Sequence, residues 1–318
     1  MAMGSEMQFS DRIGRRMKLH DIHVLMAVVQ AGSMGKAAAL LNTTQSAISR
    51  SIADLEHSVG VQLLDRSPQG VAPTQYGRAL LKRGTAVFDE LKQGVKDIEH
   101  LSDPGAGELC IGSGAPHAQG VVLVVLDRLS RQYPRAAFQV TIAGTLDLHE
   151  HLRERRIEVA FTRMTEHVPP EDIEQHGLFD DPHVVVVGAQ NPWARRRKVK
   201  LADLVNEPWT WTSAGSMVDS IVVNAFRANG LDPPRATIRV EDPNVRIKLA
   251  AAGRLLAAVP ASSQRFHDHP ESIKVLPVDL PTPYRKTGII ALKNRMLSPL
   301  AQLFIDAARD VAKPLTKS

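Results

Sequence analysis

Six polar side chains between positions 33 and 50 are suited to contacts with a nucleic acid: Ser33, Thr44, Gln45, Ser46, Ser49 and Arg50. A glutamine can make paired hydrogen bonds with adenine, and an arginine can address guanine or a phosphate. The short hydroxyl side chains can donate to phosphate oxygens or base edges, although simple helix capping is an equal alternative for them. We therefore predict a DNA-contacting surface here, with Gln69 of a following turn as a further member.

A second set of polar residues is suited to a small ligand. The run Gly-Ser-Gly-Ala-Pro-His at 112–117 follows a predicted strand and opens a predicted helix, where backbone N–H groups favour an anionic or hydroxylated, sugar-like ligand. The third glycine of a dinucleotide fingerprint is absent, which argues against NAD. The predicted ligand contacts are Ser113, His117, Thr145 and Arg163 from one lobe and Thr212, Ser213 and Ser216 from a second. Each of them singly could instead be a cap or a surface group.

Enzyme and metal motifs are missing from the sequence. It contains no Gly-x-Ser-x-Gly elbow, no Walker loop and no His-Glu-x-x-His. His149 and His151 are two apart on a predicted helix and point to different sides, and the pair His267 and His269 lacks a third ligand. The single Cys110 lies in an apolar stretch, so we expect an inert thiol rather than a redox sensor. We predict no catalytic residue, no cofactor and no metal.

Composition limits the class of protein. The chain has 318 residues with 43% hydrophobic and 23% charged residues, which is ordinary for a globular protein of two or three domains. No apolar run approaches the roughly 18–20 residues that span a bilayer. Charged residues interrupt positions 1–17, where a secretory signal needs an apolar core. We therefore expect a cytoplasmic protein with no membrane partner, and we treat 1–17 as a disordered extension.

The DNA-contacting residues lie on a predicted helix pair. Apolar residues recur at helical spacing over 19–29, and Gly32-Ser33 supplies a helix stop followed by an N-cap. A second helix ends at the polar turn 42–44, and a third begins near Gln45. The third helix is predicted to turn four residues inward, Ala47, Ile48, Ile52 and Leu55, and its polar residues outward. This is a helix-turn-helix pattern, and the segment 61–71 is predicted to form the strand and turn of a wing.

The segment after Thr74 predicts a long helix with a narrow apolar seam. Apolar or small residues alternate three and four apart at Leu81, Gly84, Phe88, Leu91, Val95 and Ile98. This spacing favours a partner helix, so we predict a dimer through Phe88, Leu91, Val95 and Ile98; the alternative is a helix packed on its own domain. The helix ends at 103–107, where proline and two glycines mark a linker.

The remainder alternates predicted strands and helices. One series covers 108–162, a second runs from 183 to 259, and a last strand at 289–292 with a helix at 300–311 returns to the first. Such alternation predicts parallel sheets with crossover helices. Two Rossmann-like α/β lobes would enclose a cleft at the carboxyl ends of their strands. The predicted lobes are 104–177 with 278–318, and 178–277.

These segments together resemble the LysR-type transcriptional regulators. The resemblance rests on Gly32-Ser33 through Ala38, on 41–50, 54–56 and 59–66, and later on 144–145, 251–255 and 297–299. Among subgroups the chain is most similar to regulators related to the galactose-binding-protein regulator. It departs from the family pattern at Ser46, where proline is usual, and at Pro73, where a leucine usually precedes the threonine. Both departures concern the expected base preference.

The resemblance implies a winged helix-turn-helix at 18–75, a dimerising linker helix at 76–103, and a periplasmic-binding-protein-like effector domain at 104–318. The implied partners are double-stranded promoter or operator DNA, RNA polymerase and a second copy of the chain, in a homodimer or homotetramer. A small-molecule inducer between the lobes would switch promoter activity. The competing hypothesis is an enzyme or a solute-binding carrier fused to a DNA-binding head, although a carrier alone would not need residues 18–100.

Overall fold

A computed structural model of the chain describes residues 17–67, 70–103, 105–164, 170–266, 269–281 and 286–316. The chain divides into two compact units, Met1–Gly94 and Val95–Ser318, which we describe separately. The predicted N-terminal extension lies outside the described residues except for Met17. Within the described part of the chain, no helix has the length and apolar character needed to cross a membrane.

The first unit begins with three helices whose ends match the local sequence signals. They are α1 (Leu19–Ala31), α2 (Met34–Leu40) and α3 (Gln45–Val59). Glycine ends α1 and α3, since Gly32 and Gly60 adopt left-handed φ angles of 70° and 75°. The side chains of Ser33 and Thr44 accept the backbone N–H groups of Lys36 and Ala47 and so cap α2 and α3. The prediction of a helix-turn-helix is confirmed.

The inward face of α3 is narrower than predicted. Ile48, Ile52 and Leu55 are buried with residues of α1 and α2, but Ala47 is exposed. Ile48, Ile52 and Leu55 are four and three positions apart and therefore share one face. Ala47 stands about 100° around the helix from Ile48, on the outer side of the first turn. The prediction for Ala47 was wrong for this reason.

A β-hairpin forms the wing. Strands β1 (Leu64–Ser67) and β2 (Gly70–Pro73) pair antiparallel. The wing is held against the turn between α1 and α2, because the N–H of Val71 donates to the carbonyl oxygen of Gly32 at 3.0 Å. Gly70 has a φ of 131°, and a Cβ there would lie 2.8 Å from the same oxygen, so only glycine allows this approach.

The helix α4 (Gln75–Ser102) is 28 residues long and belongs to both units. Its first half packs on the first unit: Leu81 and Phe88 contact the core there, and a Cβ on Gly84 would lie 2.6 Å from Ile22. Leu81, Gly84 and Phe88 of the seam therefore pack within the first unit, as the alternative of a helix packed on its own domain predicts. Leu91, Val95 and Ile98 are exposed over half or more of their surface. Their pairing with a second copy stays a prediction.

The second unit contains two five-stranded sheets. The sheet of lobe I has the order β4-β3-β5-β12-β6, and the sheet of lobe II has the order β11-β7-β10-β8-β9. The strands of lobe I are β3 (Ala106–Ser113), β4 (Arg135–Ile142), β5 (Val159–Arg163), β6 (Ile173–Asp180) and β12 (Lys286–Leu292). The strands of lobe II are β7 (His183–Gly188), β8 (Trp209–Trp211), β9 (Ala236–Arg239), β10 (Leu256–Pro260) and β11 (Ile273–Val275).

Helices cover both faces of each sheet. In lobe I they are α5 (Ala115–Ala118), α6 (Val121–Gln132), α7 (Thr145–Arg153) and α11 (Pro299–Ala312); in lobe II they are α8 (Met217–Ala228), α9 (Pro243–Ala251) and α10 (Ala261–Arg265). In lobe I, α6 and α11 bury one face and α7 buries the other. Short 3₁₀ helices lie at Pro192–Arg195, Leu201–Leu204, Pro270–Ser272 and Lys313–Leu315.

The prediction of parallel sheets holds for only part of each sheet. β3 is parallel to β4 and β5, but β12 is antiparallel to β5 and β6. In lobe II, β7 is antiparallel to β10 and β11. The antiparallel strands are those at which the chain passes between the lobes, so they enter their sheet from the cleft side. Strand β6 reaches Asp180, so the sheet of lobe I extends beyond the predicted limit at 177.

Candidate functional site

The first candidate surface is the outer face of α3. Gln45, Ser46 and Arg50 are exposed there, and Ser49 is half-buried. The Thr44 hydroxyl accepts the N–H of Ala47 at 3.2 Å and lies 3.0 Å from the Ser46 hydroxyl. Ser33 and Thr44 thus cap helices, which was the alternative to a DNA contact for the hydroxyl residues. Gln69 lies outside the described residues.

The second candidate site is a cleft of about 440 Å³ between lobes I and II. Strands β3 and β5 end at it from lobe I, and β8 and β10 end at it from lobe II. Five of the predicted ligand contacts line it: His117, Thr145, Arg163, Thr212 and Ser216. The lining also includes Gly114, Ala115, Pro116, Ile142, Ala143, Gly144, Thr162, His183, Glu241, Asp242, Pro243, Arg246 and Pro260.

The two other predicted contacts lie outside this lining. Ser113 is fully buried, and its hydroxyl donates to the carbonyl oxygen of Gly114 at 3.0 Å. Ser213 is exposed, and its backbone N–H donates to Oε1 of Glu241 at 2.7 Å. Ser113 is the last residue of β3, and Ser213 contacts Glu241 of the cleft lining through its backbone N–H.

Two buried guanidinium groups face the cleft, one from each lobe. Arg163 ends β5, and its Nη2 donates to the carbonyl oxygen of Asp181 at 2.5 Å. Arg246 lies in α9, and its Nη1 donates to the carbonyl oxygen of Ala258 at 2.8 Å. Within the described residues, the enclosed Nε–H of Arg246 has no acceptor. Burial lowers the pKa of Arg163 and lowers that of Arg246 to about 10, so Arg246 is charged at neutral pH.

Two carboxylates flank Arg246 at the lobe II side. Oδ1 of Asp242 accepts the N–H groups of Asn244 and Val245 and so caps α9, and its Oδ2 lies 3.4 Å from Nε2 of Gln119 in lobe I. The pKa of Glu241 is lowered by its hydrogen bond from Ser213. The lining therefore has a cationic interior and an anionic rim.

Two histidines of the lining are held neutral. Burial, with a contribution from the charge of Arg163, lowers the pKa of His117 to about 3. Burial lowers the pKa of His183 well below its ordinary value, helped by Arg163 and Arg246. The ring of His117 packs edge-on against Phe161 with 5.6 Å between centroids. These imidazoles therefore contribute shape and neutral hydrogen-bonding groups rather than charge.

The His117→Gln variant is expected to be less sensitive to mild acid. Because the folded pKa of His117 is about 3, the unfolded chain takes up its proton first as the pH falls below 6.5, and the folded state loses stability. From pH 6.5 to about pH 5 the loss at one such histidine is roughly 1.5 kcal/mol. Glutamine does not titrate, so the variant should lose less. Urea unfolding of both proteins at the two pH values measures the difference; equal pH dependence would contradict it.

Threonine and serine hydroxyl groups lie beside the first turns of α7 and α8 at the cleft. Thr145 Oγ1 donates to the carbonyl oxygen of Arg163 at 3.2 Å and lies 2.9 Å from the Thr162 hydroxyl. It stands in the first turn of α7, which follows Gly144 and has no side-chain cap. In lobe II, the Thr212 and Ser216 hydroxyls are 2.5 Å apart, and Ser216 caps α8. The first turn of α7 thus leaves backbone N–H groups near Arg163.

Sequence reasoning missed four lobe II residues of the cleft lining: His183, Glu241, Asp242 and Arg246. One signal could have found three of them. Asp242-Pro243 is an N-cap followed by a proline at N1, three residues after the end of β9, so these residues stand at a strand-to-helix turn, as Gly114 and Thr145 do. Arg246 follows one turn later on the cleft side.

The described residues contain no group of three or more His, Cys, Asp or Glu side chains placed to hold a metal ion. His267 lies outside the described residues. Cys110 is half-buried in β3, and its sulfur lies 3.7 Å from Oε1 of Gln139. As the single cysteine of the sequence, it cannot form a disulfide within the chain.

Comparisons with known proteins cover almost the whole chain. Residues 102–313 match the LysR substrate binding domain, and residues 19–78 match the bacterial regulatory helix-turn-helix protein, lysR family. The HTH-type transcriptional regulator GbpR of Azospirillum brasilense is 27% identical over 295 residues, 92% of this chain and 86% of GbpR. The transcriptional dual regulator GltC of Bacillus subtilis is 27% identical over 292 residues, 91% of this chain and 96% of GltC.

Solved structures match over similar lengths. A full-length OxyR variant from Pseudomonas aeruginosa, with one cysteine replaced, has a TM-score of 0.67 at 22% identity, with 95% of this chain and 98% of that chain covered. Full-length CbnR, solved in complex with its target DNA, has a TM-score of 0.51 at 25% identity, with 93% of this chain and all of that chain covered. The predicted fold of a helix-turn-helix, a long helix and a two-lobed α/β domain is confirmed.

Proposed function

Because this chain belongs to the LysR family of transcriptional regulators, we propose that its effector is a small organic acid that carries a hydroxyl or amino group. The chain is a DNA-binding regulator with an effector-binding domain, not an enzyme, and the alternative of an enzyme or carrier with a DNA-binding head is not favoured. One observation carries the proposal: Arg163 and Arg246 are both buried, and they face one cleft from opposite lobes.

The guanidinium group of Arg246 indicates that the ligand carries an acid group. Its Nη1 is engaged by Ala258, which leaves the edge formed by Nε and Nη2 for a ligand. An enclosed N–H without an acceptor costs about 1–3 kcal/mol, and a carboxylate offers two oxygens in the geometry of that edge. Arg163 and the uncapped first turn of α7 favour negative charge from the lobe I side. A carboxylate bound between the two guanidinium groups would hold the lobes together.

The carboxylates of Glu241 and Asp242 at the rim of the cleft indicate a second functional group on the ligand, one that donates hydrogen bonds. Ionised Glu241 and Asp242 only accept hydrogen bonds, so they favour a ligand that donates to them. A second carboxylate at that position would face two like charges at short range. We infer a monocarboxylate with a hydroxyl or amino donor on a neighbouring carbon. The apolar lining by Ile142, Pro243 and Pro260 leaves room for a short carbon chain.

We further propose that the regulator reads double-stranded DNA with Gln45 and Arg50 of α3. This proposal is supported by the likeness of the chain to the regulator CbnR, which was solved with target DNA.

Members of this family form oligomers, and the exposed residues Leu91, Val95 and Ile98 support a homodimer through α4. RNA polymerase is the proposed partner at the promoter, and the cytoplasm the proposed compartment.

Thermal shift of the full-length chain with matched acids tests the ligand proposal. The probes are straight-chain monocarboxylates of three to six carbons (about the length the cleft admits), their 2-hydroxy and 2-amino derivatives, and the dicarboxylates of equal length. Binding to the folded state raises the unfolding temperature. The hydroxy or amino acids should give the largest rise. Dicarboxylates or neutral sugars that stabilise the protein as much would contradict the proposal.

A further inference from the structure

A partly buried ion pair joins the C-terminal part of α4 to the sheet of lobe I, within the second unit. Nζ of Lys96 donates to Oε1 of Glu158, whose side chain is only 3% exposed. Oε2 of Glu158 accepts the backbone N–H of Ser298, the N-cap residue of α11, at 3.2 Å. Burial acts to raise the pKa of Glu158, but the hydrogen bonds from Lys96 and Ser298 outweigh it and keep the pKa below its ordinary value. The pair is therefore ionic.

Glu158 directly precedes β5, and Arg163 is the last residue of that strand. All five residues of β5 are buried, and the strand occupies the centre of its sheet, bonded to β3 on one side and β12 on the other. Five residues of strand span about 17 Å. A close-packed strand that is hydrogen-bonded on both sides has low compressibility and transmits strain along its length. A ligand that pulls on Arg163 in the cleft therefore also displaces Glu158.

We propose that Lys96 and Glu158 are positioning residues that couple the effector cleft to α4. This inference rests on the proposed function, because it takes Arg163 as a ligand contact. When the ligand draws Arg163, β5 shifts Glu158, and the ion pair carries the shift to the end of the long helix that begins in the DNA-binding unit. The competing possibility is an ion pair that only stabilises the fold. The two possibilities predict different effects of Lys96→Met on the response to the ligand.

The decisive variant is Lys96→Met in the full-length chain. Methionine keeps an unbranched apolar stem but has no charge, and Glu158 still accepts the backbone N–H of Ser298, whose hydroxyl caps α11. Lys92→Met is the matched control, since Lys92 is exposed one turn earlier on the same helix. Lys96→Arg keeps the charge and should preserve the coupling. DNA affinity is measured for each protein with and without the probe acid that gives the largest thermal shift.

The coupling is the ratio of the two DNA affinities, which in regulated proteins is typically about 5- to 150-fold. Lys96→Met should bring the ratio close to one while acid affinity stays within about twofold of the original. Lys92→Met and Lys96→Arg should retain the ratio. A Lys96→Met protein with the original ratio overturns the proposal, even if its unfolding temperature falls, because that is the result of a purely stabilising pair.

A second measurement is made without a ligand. It tests the coupling role of the ion pair even if the proposed ligand class is wrong. If no probe acid binds, the proposed ligand class is wrong, but the pair can still be judged from hydrogen exchange of residues 95–102 and from the length of DNA that the ligand-free protein protects. Lys96→Met should speed the exchange and change the protected length, and Lys92→Met should change neither. Unchanged exchange and unchanged protection in Lys96→Met overturn the coupling role.

Discussion

The Arg50→Ala variant is expected to lose sequence-specific DNA binding while it remains folded and oligomeric. Arg50 is exposed on the outer face of α3, the second helix of the helix-turn-helix, so its removal takes nothing from the core. An arginine bonded through two hydrogen bonds to a guanine contributes about 1–3 kcal/mol of discrimination. A dimer uses two copies, so the loss is about 2–6 kcal/mol, or roughly 30-fold to more than 10⁴-fold in affinity.

A gel shift with a duplex selected from random sequence by the original protein measures this loss. Arg131→Ala is the matched control, because Arg131 is an exposed arginine of α6 paired with Asp127, far in sequence from the DNA-binding helix. It removes the same charge from the protein and should bind as before. If Arg50→Ala shifts the duplex as well as the control, α3 does not read DNA through Arg50.

The Arg246→Met variant is expected to bind DNA normally and to lose its response to the acid. Charge-assisted hydrogen bonds contribute about 1.5–3 kcal/mol each, so removal of a two-bond contact should weaken acid binding by at least about 100-fold. Methionine replaces the buried aliphatic stem of arginine without a charge to desolvate. Arg246→Lys keeps the charge but not the planar edge and should fall between the two.

DNA binding with and without the acid distinguishes the outcomes for Arg246. Arg227→Met, which removes an exposed arginine from α8 of the same lobe, should respond as the original protein does. An Arg246→Met protein that responds fully would remove Arg246 from the site, and one that no longer binds DNA without acid would give Arg246 a structural role instead.

Local signals in the sequence predicted the helix boundaries around the turn of the first unit. Gly32, Ser33 and Thr44 each fix a helix end through their own backbone or side-chain chemistry, so neighbouring residues suffice to place the end of α1 and the starts of α2 and α3. The error at Ala47 arose because a small apolar residue is compatible with either face of a helix. Its exposure depends on where the wider residues Ile48 and Ile52 pack.

The direction of strands could not be predicted in the same way. The apolar run of β12 is typical of a buried strand in either direction, and only the path of the chain between the lobes makes it antiparallel to β5. Strand β6 was missed because its central residues Glu174, Gln175, His176 and Gly177 are polar or flexible, which suits the sheet edge it occupies but not a predicted core strand.

Only part of the cleft lining was predicted, because its residues come from two lobes that are brought together by tertiary structure. His117, Thr145 and Arg163 follow or end strands of one sheet, so the rule that ligands bind at carboxyl strand ends located them. Arg246 follows a helix start in the other lobe, 83 positions later in the sequence than Arg163, and only the packing of the lobes brings the two guanidinium groups to one cavity. Charge pairing across a cleft is a property of tertiary structure.

In our proposal, an organic acid binds between Arg163 and Arg246 and thereby switches a DNA-binding regulator. Calorimetric titration of the full-length chain with the acid selected by thermal shift, beside Arg246→Met and Arg227→Met, tests this binding without an intermediate step. We expect one acid per chain for the original protein and for Arg227→Met, and no measurable heat for Arg246→Met. Equal affinity in all three proteins would contradict the proposal.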